Sequence, residues 1–536
     1  MRILLSTLHV RRSAQAIPLA AGNLKANLPE KFRNSTELLE LFPEQAPQQM
    51  LAAILAKQPQ LIAFPLYLWN RTQVLQLCRQ LRQKQPQLVL LAGGPEASAD
   101  AAAVIAEGEL DGVICGEGEI AFAQLVERLA KQQPGAGVSG FLTATGDEQT
   151  ERAAAECPDL ATLPSPWLSG TLPLEPGCGV LWEVARGCRF NCAFCFDAKG
   201  QQGVRPLPLK RLQAELQLFA QKGVSQIWIL DSTFNAPPER GKQLLRLLLE
   251  HAPQIHYHLE AKADFLDQET AELLSQLSCS VQIGLQSAQP EVLKPLHRNL
   301  NPGQMSRALQ LLSEYGITYG LDLIYGLPND NHQGFRNSLD FALRQQPNQV
   351  DMFPLAVLPG TELHQQQDKF SIKADPQPPY LIGQNRSYSP QELQQSKQLA
   401  TATDIFYNRG RAVGFFHQFC NALKLGPVEL LEEFDNWLQQ QSHLSAEQKS
   451  SAESWQPNAI LPLQQQFVAD LLRQRKKDRL RPLAEDVASP AGGEDPGISS
   501  DRPAGDEVDR LEATFRRMTG GRNDFRSGQQ IFCEAG

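Results

Sequence analysis

Three cysteines stand close together at positions 188, 192 and 195, within the segment A-R-G-C-R-F-N-C-A-F-C-F-D of residues 185–197. Gaps of three and then two residues let one short loop wrap three thiolates around a metal centre, and Gly187 gives the backbone freedom where the chain turns. Three thiolates complete neither a tetrahedral zinc site nor the four irons of a cubane. One coordination position therefore stays open, and an open position is where substrate chemistry occurs. A structural zinc loop or unrelated thiols are the alternative interpretations.

The other seven cysteines are scattered: Cys78, Cys115, Cys157, Cys178, Cys279, Cys420 and Cys533. This usage is typical of a metal site in a reducing cytosol and predicts a cytoplasmic protein without a disulfide framework. The first residues are apolar only as far as Leu8 and then meet His9 and Arg11, so a signal peptide is not predicted. No stretch approaches the roughly 18 consecutive apolar residues of a membrane span, so we expect a soluble chain.

The overall charge is slightly acidic, with 50 Lys and Arg against 59 Asp and Glu among 536 residues and a formal net charge of -9. Such a balance argues against bulk affinity for nucleic-acid phosphates, so a nucleic-acid partner is not indicated, although a local basic groove is not excluded. At roughly 100 to 200 residues per domain, the length predicts about three domains.

Short apolar runs alternate with amphipathic helical stretches through residues 1–145, which predicts a doubly wound, Rossmann-like α/β domain. The predicted strands are Arg2–Leu8, Leu61–Tyr67, Leu88–Ala92 and Asp111–Cys115, with helices near 46–57, 70–84, 97–107 and 119–131. These strands are nearly continuous apolar runs, as expected when helices cover both faces of a parallel sheet. Residues 146–178 are polar and proline-rich and are predicted to be a linker.

A second series of strands and helices follows over residues 179–370 and predicts a partial barrel of six strands. The predicted strands are Val180–Ala185, Gln226–Leu230, His256–Ala261, Ser280–Leu285, Thr318–Ile324 and Asp351–Val357, with helices near 207–222, 239–251, 268–277, 303–315 and 332–345. The cysteine segment comes directly after the first of these strands. Chemistry in such sheets occurs at the carboxyl ends of the strands, so we expect the functional residues there.

The chain beyond the barrel is predicted to be a small helical module over residues 371–478, followed by a mostly disordered tail over 479–536. Ser389, Pro390 and Glu392 form a capping-box start with proline at the first helical position. Residues 484–507 are rich in Pro, Gly, Ser, Asp and Glu. The basic run Arg473–Arg481 is interpreted as the solvated end of the last helix, with contact to an anionic partner as the alternative.

The cysteine spacing, with the aromatic Phe194 before the last cysteine, resembles the signature of the radical SAM superfamily. The six strand–helix units and the placement of the cysteines after the first strand resemble that family too. The resemblance implies that Cys188, Cys192 and Cys195 hold a [4Fe-4S] cluster whose fourth iron binds S-adenosylmethionine (SAM), with Phe194 beside the cofactor. It also implies reductive cleavage to a 5′-deoxyadenosyl radical, fed by an electron donor such as flavodoxin or ferredoxin.

Further residues at the strand ends match positions that this family uses to bind SAM, and the resemblance implies such roles for Asp231, Glu260, Gln286, Ser287 and Gly326. Asp231 replaces a more common Gly-Gly-Glu motif, and a helix N-cap is its alternative role. A surface ion pair is the alternative for Glu260, and capping of the next helix is the alternative for Gln286 and Ser287. Gly326, in D-L-I-Y-G-L-P, would let a flat ring approach the backbone.

Two glycine-rich turns in the first domain, G-G-P-E at 93–96 and G-E-G-E at 116–119, resemble the cobalamin-binding domain fused to one branch of the radical SAM family. The resemblance implies a cobalamin site that includes Gly93, Gly94, Glu96, Gly116, Glu117 and Gly118. Ligands of doubly wound sheets bind at this edge, although glycine there can also serve only a tight connection.

The first strand lacks the D-x-H-x-x-G loop that ligates cobalt in some corrinoid domains, so His9 is not expected to bind cobalt. Phe64, Tyr67 and Trp69 are candidates to line an apolar ring face, with core packing the alternative for Phe64.

Two adjacent cofactor modules favour a cobalamin-dependent radical SAM methyltransferase that acts on an unactivated carbon. A cobalamin-dependent radical cyclase or oxidase without net methyl transfer is the first alternative. A corrinoid or iron–sulfur binding protein without turnover is the second. The substrate itself is not predicted.

Overall fold

Two parallel β-sheets, each flanked by helices, make up most of the computed structural model, which describes residues 1–144, 157–197 and 203–474. The predicted tail 479–536 and most of the basic run at 473–481 lie outside the described residues. So does the first part of the predicted linker, residues 146–156. The domain boundaries at 145, 178 and 370 therefore stay predictions, although the two sheets fall on either side of the predicted linker.

The N-terminal sheet has the order β2-β1-β3-β4-β5-β6, parallel except for the last pair. Its strands are β1 Ile3–Leu8, β2 Thr36–Leu41, β3 Leu61–Pro65, β4 Val89–Gly93, β5 Gly112–Ile114 and β6 Phe141–Leu142. Its helices are α1 Leu19–Asn27, α2 Glu30–Arg33, α3 Pro47–Ala56, α4 Arg71–Lys84, α5 Pro95–Ala99, α6 Ala101–Gly108 and α7 Gly118–Ala130. Every residue of β1 is buried, because β1 lies between two neighbours and under helices on both faces.

The four predicted strands of this sheet are present, but the sequence analysis missed two edge strands, β2 and β6. The sequence of β2, T-E-L-L-E-L, is neither continuously apolar nor strictly alternating. An edge strand is half exposed and can carry such a mixed pattern, so periodicity did not reveal it.

The second sheet has the order β14-β13-β12-β11-β10-β7, and every pair in it is parallel. Its region contains β7 Gly179–Glu183, β8 Ala185–Arg186, β9 Arg205–Pro206, β10 Gln226–Leu230, β11 His256–Ala261, β12 Cys279–Gln286, β13 Thr318–Tyr325 and β14 Gln349–Pro354. The helices between them are α8 Leu209–Lys222, α9 Pro238–His251, α10 Gln268–Ser275, α11 Pro290–Leu293, α12 Pro302–Glu314 and α13 His332–Arg344, with 3-10 turns at Ala263–Phe265 and Lys294–Leu296. Within the described residues β7 and β14 are edge strands, so this is the predicted partial barrel of six strand–helix units.

One face of this second sheet is apolar beneath the helices, and the other face is rich in polar groups. Along β12, for example, Val281 and Ile283 belong to the core, whereas Gln282 bonds to two acids on neighbouring strands. The amide Nε2 of Gln282 donates to Asp322 at 2.5 Å and to Asp351 at 3.0 Å. Burial raises the pKa of Asp351 to about 6 and also raises the pKa of Asp322. The polar face of the sheet therefore presents carboxyl groups that favour protonation.

The C-terminal helices share one apolar core with the barrel instead of forming a separate one. Their elements are α14 Glu362–Gln365, α15 Gln367–Phe370, β15 Lys373–Ala374, β16 Ile382–Gln384, α16 Pro390–Thr403, a π-helix Asp404–Arg409, α17 Phe416–Leu423, α18 Pro427–Gln440, α19 Ala446–Ser450 and α20 Pro457–Gln474, with 3-10 turns at Ala412–Gly414 and Ala452–Ser454. The predicted capping box is present, since Ser389 and Glu392 bond to each other's backbone N–H groups.

The side chain of Asn408 in the π-helix protects the free edge of β14. Its Oδ1 accepts from Val350 N at 2.9 Å and its Nδ2 donates to Val350 O at 2.8 Å, as a neighbouring strand would. An exposed strand edge invites pairing with another chain, and these bonds cover it. Among the described helices, none combines the length and apolar character that crossing a bilayer requires.

Candidate functional site

The cysteine loop leaves the sheet at the carboxyl end of β7, the first barrel strand. It runs out from β8 and returns in β9, and these two short strands pair antiparallel, with Arg186 opposite Arg205. Gly187 turns the chain with a φ of 81°, and a Cβ there would lie 2.7 Å from Gly203 O. Glycine is therefore required where the loop begins, as its position in the sequence predicts.

Two backbone hydrogen bonds hold the middle of the cysteine loop in place. Ala193 N donates to Leu296 O at 3.1 Å, and Leu363 N donates to Ala193 O at 2.8 Å. Leu296 follows β12, and Leu363 lies in α14, just after the turn that ends the last barrel strand. The loop is thus fixed between two segments that lie far apart in the sequence. The packing of the barrel brings these segments together.

The three cysteines of the loop lie within electrostatic reach of one another. Burial raises the pKa of Cys188, and the neighbouring Asp197 and Cys192 raise it further. Cys195 keeps an exposed surface, yet the protein around its sulfur raises the pKa of its thiol to about 12, assisted by Asp197. In the described part of the chain, no three His, Cys, Asp or Glu side chains are placed to hold a single metal ion. Three crowded cysteines, of which Cys188 and Cys195 have raised thiol pKa values, are a donor set that a cationic cluster would stabilise as thiolates.

Arg298 is a candidate functional residue that the sequence analysis missed. Its guanidinium donates from one nitrogen to Cys192 Sγ at 3.6 Å and from the other to Gly284 O at 2.6 Å, at the end of β12. Arg298 therefore places a permanent positive charge between the cysteine loop and the strand ends. The sequence gives only a weak indication of this role, because Arg298 is a single arginine in the segment after G-L-Q-S.

Acidic side chains also lie within electrostatic reach of the cysteine loop. Burial raises the pKa of Glu260 to about 7, and the neighbouring Asp197 and Asp231 raise it further. Within the described residues, no side chain donates a hydrogen bond to the Glu260 carboxylate, so the alternative of a surface ion pair does not hold in this structure. Asp231 is engaged differently, because Arg240 donates to both of its carboxylate oxygens. Asp231 is also not the N-cap of α9, which begins at Pro238.

Replacing Glu260 by glutamine is expected to stabilise the protein at pH 8 by about 2 kcal/mol and to change its stability little at pH 5. A carboxyl with a raised pKa in the folded state loses folding free energy as the pH rises from the ordinary value of 4.5 to about 7. The uncharged amide does not suffer this loss. The measurement is the melting temperature of variant and wild type at both pH values. The exposed Glu314, replaced in the same way, serves as the control, and an equal gain at pH 5 and pH 8 would contradict the explanation.

Gln286 has a strained backbone at the end of β12, beside an irregularity in the pairing with β13. Its φ of 65° lies in the left-handed region, and its Oε1 is buried without a hydrogen-bond partner among the described residues. Strain and an unmet acceptor together are typical of a residue that awaits a ligand. Ser287 is buried, and its hydroxyl already contacts Ser338 and accepts from Gln289 N.

The remaining residues predicted for the same site are more closely involved in packing. Gly326 has a φ of 89°, and a Cβ there would lie 2.8 Å from the Ile382 side chain and 3.0 Å from Leu393. The absence of a side chain at Gly326 therefore permits close contact with the C-terminal segment. Phe194 is partly buried and packs against the main core. Direct roles of Phe194, Asp231, Ser287 and Gly326 toward a cofactor stay predictions.

The two glycine turns of the N-terminal sheet lie at the carboxyl ends of β4 and β5, as predicted. Gly94 has a φ of 93°, and a Cβ there would lie 2.8 Å from Leu66 O, while Gly116 has a φ of 85° and donates its N–H to Ser98 Oγ at 2.9 Å. These contacts support the tight-connection interpretation of both turns. The cobalamin contacts of Gly93, Gly94, Gly116 and Gly118 stay predictions.

The glutamates of these turns bind side chains from beyond the N-terminal sheet. Glu96 is buried and accepts from Arg71 at 3.1 Å and from Tyr380 Oη at 2.6 Å. Glu117 and Glu119 both accept from Arg186, at 2.8 and 2.5 Å. In this structure their carboxylates join the two sheets, and contacts of Glu96 and Glu117 with cobalamin stay predictions.

Two hydroxyls that the sequence analysis missed point to a ligand at the same edge. Ser6 Oγ and Thr7 Oγ1, near the end of β1, are buried and have no hydrogen-bond partner in the described part of the chain. Buried hydroxyls without partners are costly, and a bound group with polar edges would satisfy them. The adjacent Ser-Thr pair in an otherwise apolar strand is the signal that would have revealed them.

Aromatic residues lie in and just after the neighbouring strand β3. Tyr67 and Trp69 stack with ring centroids 4.5 Å apart and planes 5° apart, which presents a flat apolar surface beyond β3. Phe64 is buried in the core, as its alternative interpretation predicts. His9 Nε2 lies 2.9 Å from Glu40, and the ring stacks on Phe42, so His9 already has protein partners.

The N-terminal sheet covers the side on which the barrel is open. At the β7 edge, Gly179 lies so close to Ala14 that an added Cβ would be 2.6 Å from Ala14 O. At the other edge, Leu381 forms a β-bridge with Ala356, and the neighbouring Tyr380 bonds to Glu96. The N-terminal domain thus contacts the barrel both at β7 and at the segment beside β14.

Two family models match parts of the chain that include most of each sheet. Residues 182–342 match the model of the Radical SAM superfamily, and residues 11–126 match the model of the B12 binding domain. The first match covers the cysteine loop and most of the partial barrel. The second match covers both glycine turns and ends within α7.

Two similar proteins have methyltransferase names. The cobalamin-dependent radical SAM methyltransferase TokK of Streptomyces tokunonensis is 24% identical over 440 residues, which is 75% of this chain and 64% of that protein. The 2-(S-pantetheinyl)-carbapenam-3-carboxylate methyltransferase of Streptantibioticus cattleyicolor is 25% identical over 373 residues, 65% of this chain and 54% of that protein. The matched part thus spans less than two thirds of the length of these relatives.

Solved structures share the fold at low sequence identity. The cobalamin-dependent S-adenosylmethionine radical enzyme OxsB, with aqua-cobalamin and S-adenosylmethionine bound, superimposes with a TM-score of 0.62 at 15% identity, covering 98% of this chain and 85% of that chain. The radical S-adenosylmethionine methyltransferase TsrM from Kitasatospora setae gives a TM-score of 0.58 at 15% identity, covering 71% and 80%. Both support the arrangement of an N-terminal doubly wound sheet, a partial barrel and C-terminal helices.

Proposed function

Because this chain joins a B12-binding domain to a radical SAM domain, we propose that it is a cobalamin-dependent methyltransferase that acts on an unactivated carbon. One observation carries the proposal. The strand ends of the N-terminal sheet contact the base of the cysteine loop at the strand ends of the barrel, where Glu117 binds Arg186. Two cofactors that must act in sequence on one substrate need such adjacent sites. The methyltransferase names of the two relatives support the same reaction type.

In this proposal Cys188, Cys192 and Cys195 hold a [4Fe-4S] cluster. When bound, that cluster with SAM supplies a 5′-deoxyadenosyl radical for hydrogen abstraction, and cobalamin supplies the methyl group. The protein orients the reactants and excludes water and oxygen, because the cofactors carry the bond chemistry. A one-electron donor such as flavodoxin or ferredoxin is the proposed redox partner.

The charges around the cysteine loop suit SAM, which carries a carboxylate, an ammonium and a sulfonium. Glu260, Asp231 and Asp197 supply negative charge near the loop, and Arg298 supplies positive charge beside Cys192. The unpaired Oε1 of Gln286 offers an acceptor at the same strand ends. We propose that Glu260 and Arg298 orient the charged groups of the cofactor.

At the N-terminal edge, the unpaired hydroxyls of Ser6 and Thr7 are proposed to bind polar edges of the corrin. The Tyr67–Trp69 stack offers a flat apolar surface for the ring. His9 is bonded to Glu40 and is not assigned a role toward cobalt.

The test uses the full-length chain, reconstituted anaerobically with iron and sulfide and incubated with hydroxocobalamin. Corrin absorbance is expected to stay with the protein during gel filtration. With dithionite and SAM that carries a trideuterated methyl group, we expect 5′-deoxyadenosine, S-adenosylhomocysteine and label in the corrin fraction.

The other outcomes separate the alternatives. 5′-Deoxyadenosine without corrin-dependent S-adenosylhomocysteine would favour a radical cyclase or oxidase without net methyl transfer. Release of neither product would favour a corrinoid or iron–sulfur binding protein without turnover. Failure to retain the corrin would remove the basis of the methyltransferase proposal.

A further inference from the structure

The base of the cysteine loop is a narrow neck formed by the paired strands β8 and β9. All three cysteines of the loop lie on the chain between these strands, so the neck sets where the loop begins and ends. Arg186 and Arg205 stand directly opposite each other across the neck. Like charges directly opposite each other destabilise an antiparallel pair. The neck therefore needs a negative charge to stay closed.

Glu117 supplies that charge from the other domain. One of its carboxylate oxygens accepts from Arg186 at 2.8 Å, and the other accepts from Arg205. The side chains of Glu117 and Arg186 are only 19% and 14% exposed, so water screens these charges weakly. Glu117 thus bridges both strands of the neck from the turn at the carboxyl end of β5.

The two arginines do not depend on Glu117 equally. Arg186 also binds Glu119 at 2.5 Å and Glu183 at 2.9 Å, so it keeps two carboxylates if Glu117 is removed. Arg205 binds Glu117 as its only carboxylate among the described residues, and its other polar contact is Pro158 O at 3.2 Å. Its Nε is buried without a partner in the described part of the chain. Loss of Glu117 would leave the charge of Arg205 partly buried and without a carboxylate. Such an unpaired charge costs more folding free energy than the intact ion pair.

We propose that Glu117 is a positioning residue that closes the neck of the cysteine loop and thereby couples cluster retention to corrin binding. Glu117 lies within the G-E-G-E turn, so a ligand that orders this turn also orders the neck. A cluster that fixes the loop in turn fixes the turn, because coupling between two binding sites is reciprocal. The inference rests on the proposed function in assigning a cluster to the loop and a corrin to the edge.

The test measures the coupling in the full-length chain, with hydroxocobalamin as the probe. In the wild type we expect hydroxocobalamin to bind about five-fold more tightly to cluster-loaded protein than to cluster-free protein, the lower end of typical coupling between sites. Glu117→Gln is expected to abolish this difference and to accelerate iron loss to a chelator about ten-fold. These two readouts do not require turnover.

A second substitution tests whether Glu117 acts by neutralising the charge of Arg205 or only by making a structural contact. Adding Arg205→Gln to Glu117→Gln removes the uncompensated arginine, so iron retention is expected to return toward the wild-type rate. Glu117→Asp keeps the charge but is shorter, and an intermediate rate of iron loss is expected. If Glu117→Gln does not fold, Glu117→Asp serves in its place, and iron loss faster than in the wild type is still expected.

The matched control is Glu37→Gln, which removes an exposed carboxylate that pairs with Lys57 in the same domain. It is expected to behave as the wild type. Unchanged coupling and iron loss in Glu117→Gln, or a double variant that loses iron as fast as the single one, would overturn the inference. A wild type that binds both cofactors without coupling would overturn it as well. A wild type that takes up no cluster or no corrin would instead refute the proposed function.

Discussion

Cys192→Ala is expected to lower SAM cleavage by roughly 1000-fold or more, to the background of the assay. Two remaining thiols cannot hold a four-iron cluster in the geometry that leaves one iron free for SAM. Cys192 also receives the hydrogen bond from Arg298, so its removal breaks the link between the cluster loop and the end of β12. The measurements are 5′-deoxyadenosine release with dithionite and the iron content after anaerobic reconstitution.

Cys178→Ala provides the matched control, because Cys178 is a partly buried cysteine outside the loop. It is expected to keep both iron and activity. Undiminished 5′-deoxyadenosine release by Cys192→Ala would refute the assignment of the cluster to residues 188–195.

Arg298→Ala is expected to lower the rate of 5′-deoxyadenosine release about 100-fold while the protein still retains its iron. The reason is that Arg298 is not itself a proposed cluster ligand, yet its guanidinium places a positive charge beside Cys192 and the end of β12. A carboxylate placed there would lose a charge-assisted hydrogen bond. We therefore expect the affinity for SAM to fall, together with the change in the cluster's electron paramagnetic resonance spectrum that SAM produces.

Arg298→Lys keeps the charge without the two-pronged geometry and is expected to recover part of the rate. Arg307→Ala, on the exposed surface of α12, is the control and should be neutral. If Arg298→Ala instead loses its iron, Arg298 acts on the stability of the loop and not on SAM, which would contradict this prediction.

Much of the barrel could be predicted from the sequence because the signals are local. All six strands match apolar runs, and the five predicted helices match amphipathic stretches of period 3.6, which depend on residues a few positions apart. The sixth helix, α11, has only four residues and gave no such pattern. Gly187 and the Ser389 capping box were predicted for the same reason, since a turn and a helix start are decided by their own residues. The three cysteines needed no tertiary structure either, because a single loop carries them all.

The partners of the charged residues could not be predicted in this way. Glu96 bonds to Tyr380, 284 positions later, and Glu117 bonds to Arg186, 69 positions later. The sequence analysis assigned both glutamates to a ligand, whereas the structure places them in contacts between the two sheets. Nothing local distinguishes these two uses of a glutamate after a glycine turn.

The sequence alone therefore predicted the cysteine loop, the six barrel strands and the four strands at the centre of the N-terminal sheet. Only the tertiary structure decided that Arg298 meets Cys192, that Ser6 and Thr7 lack partners, and that Glu117 closes the neck of the loop. The physical reason is distance along the chain. Hydrophobic periodicity and turn chemistry act over a few residues, whereas an ion pair or an unmet hydroxyl depends on which surfaces the packing of the whole chain brings together.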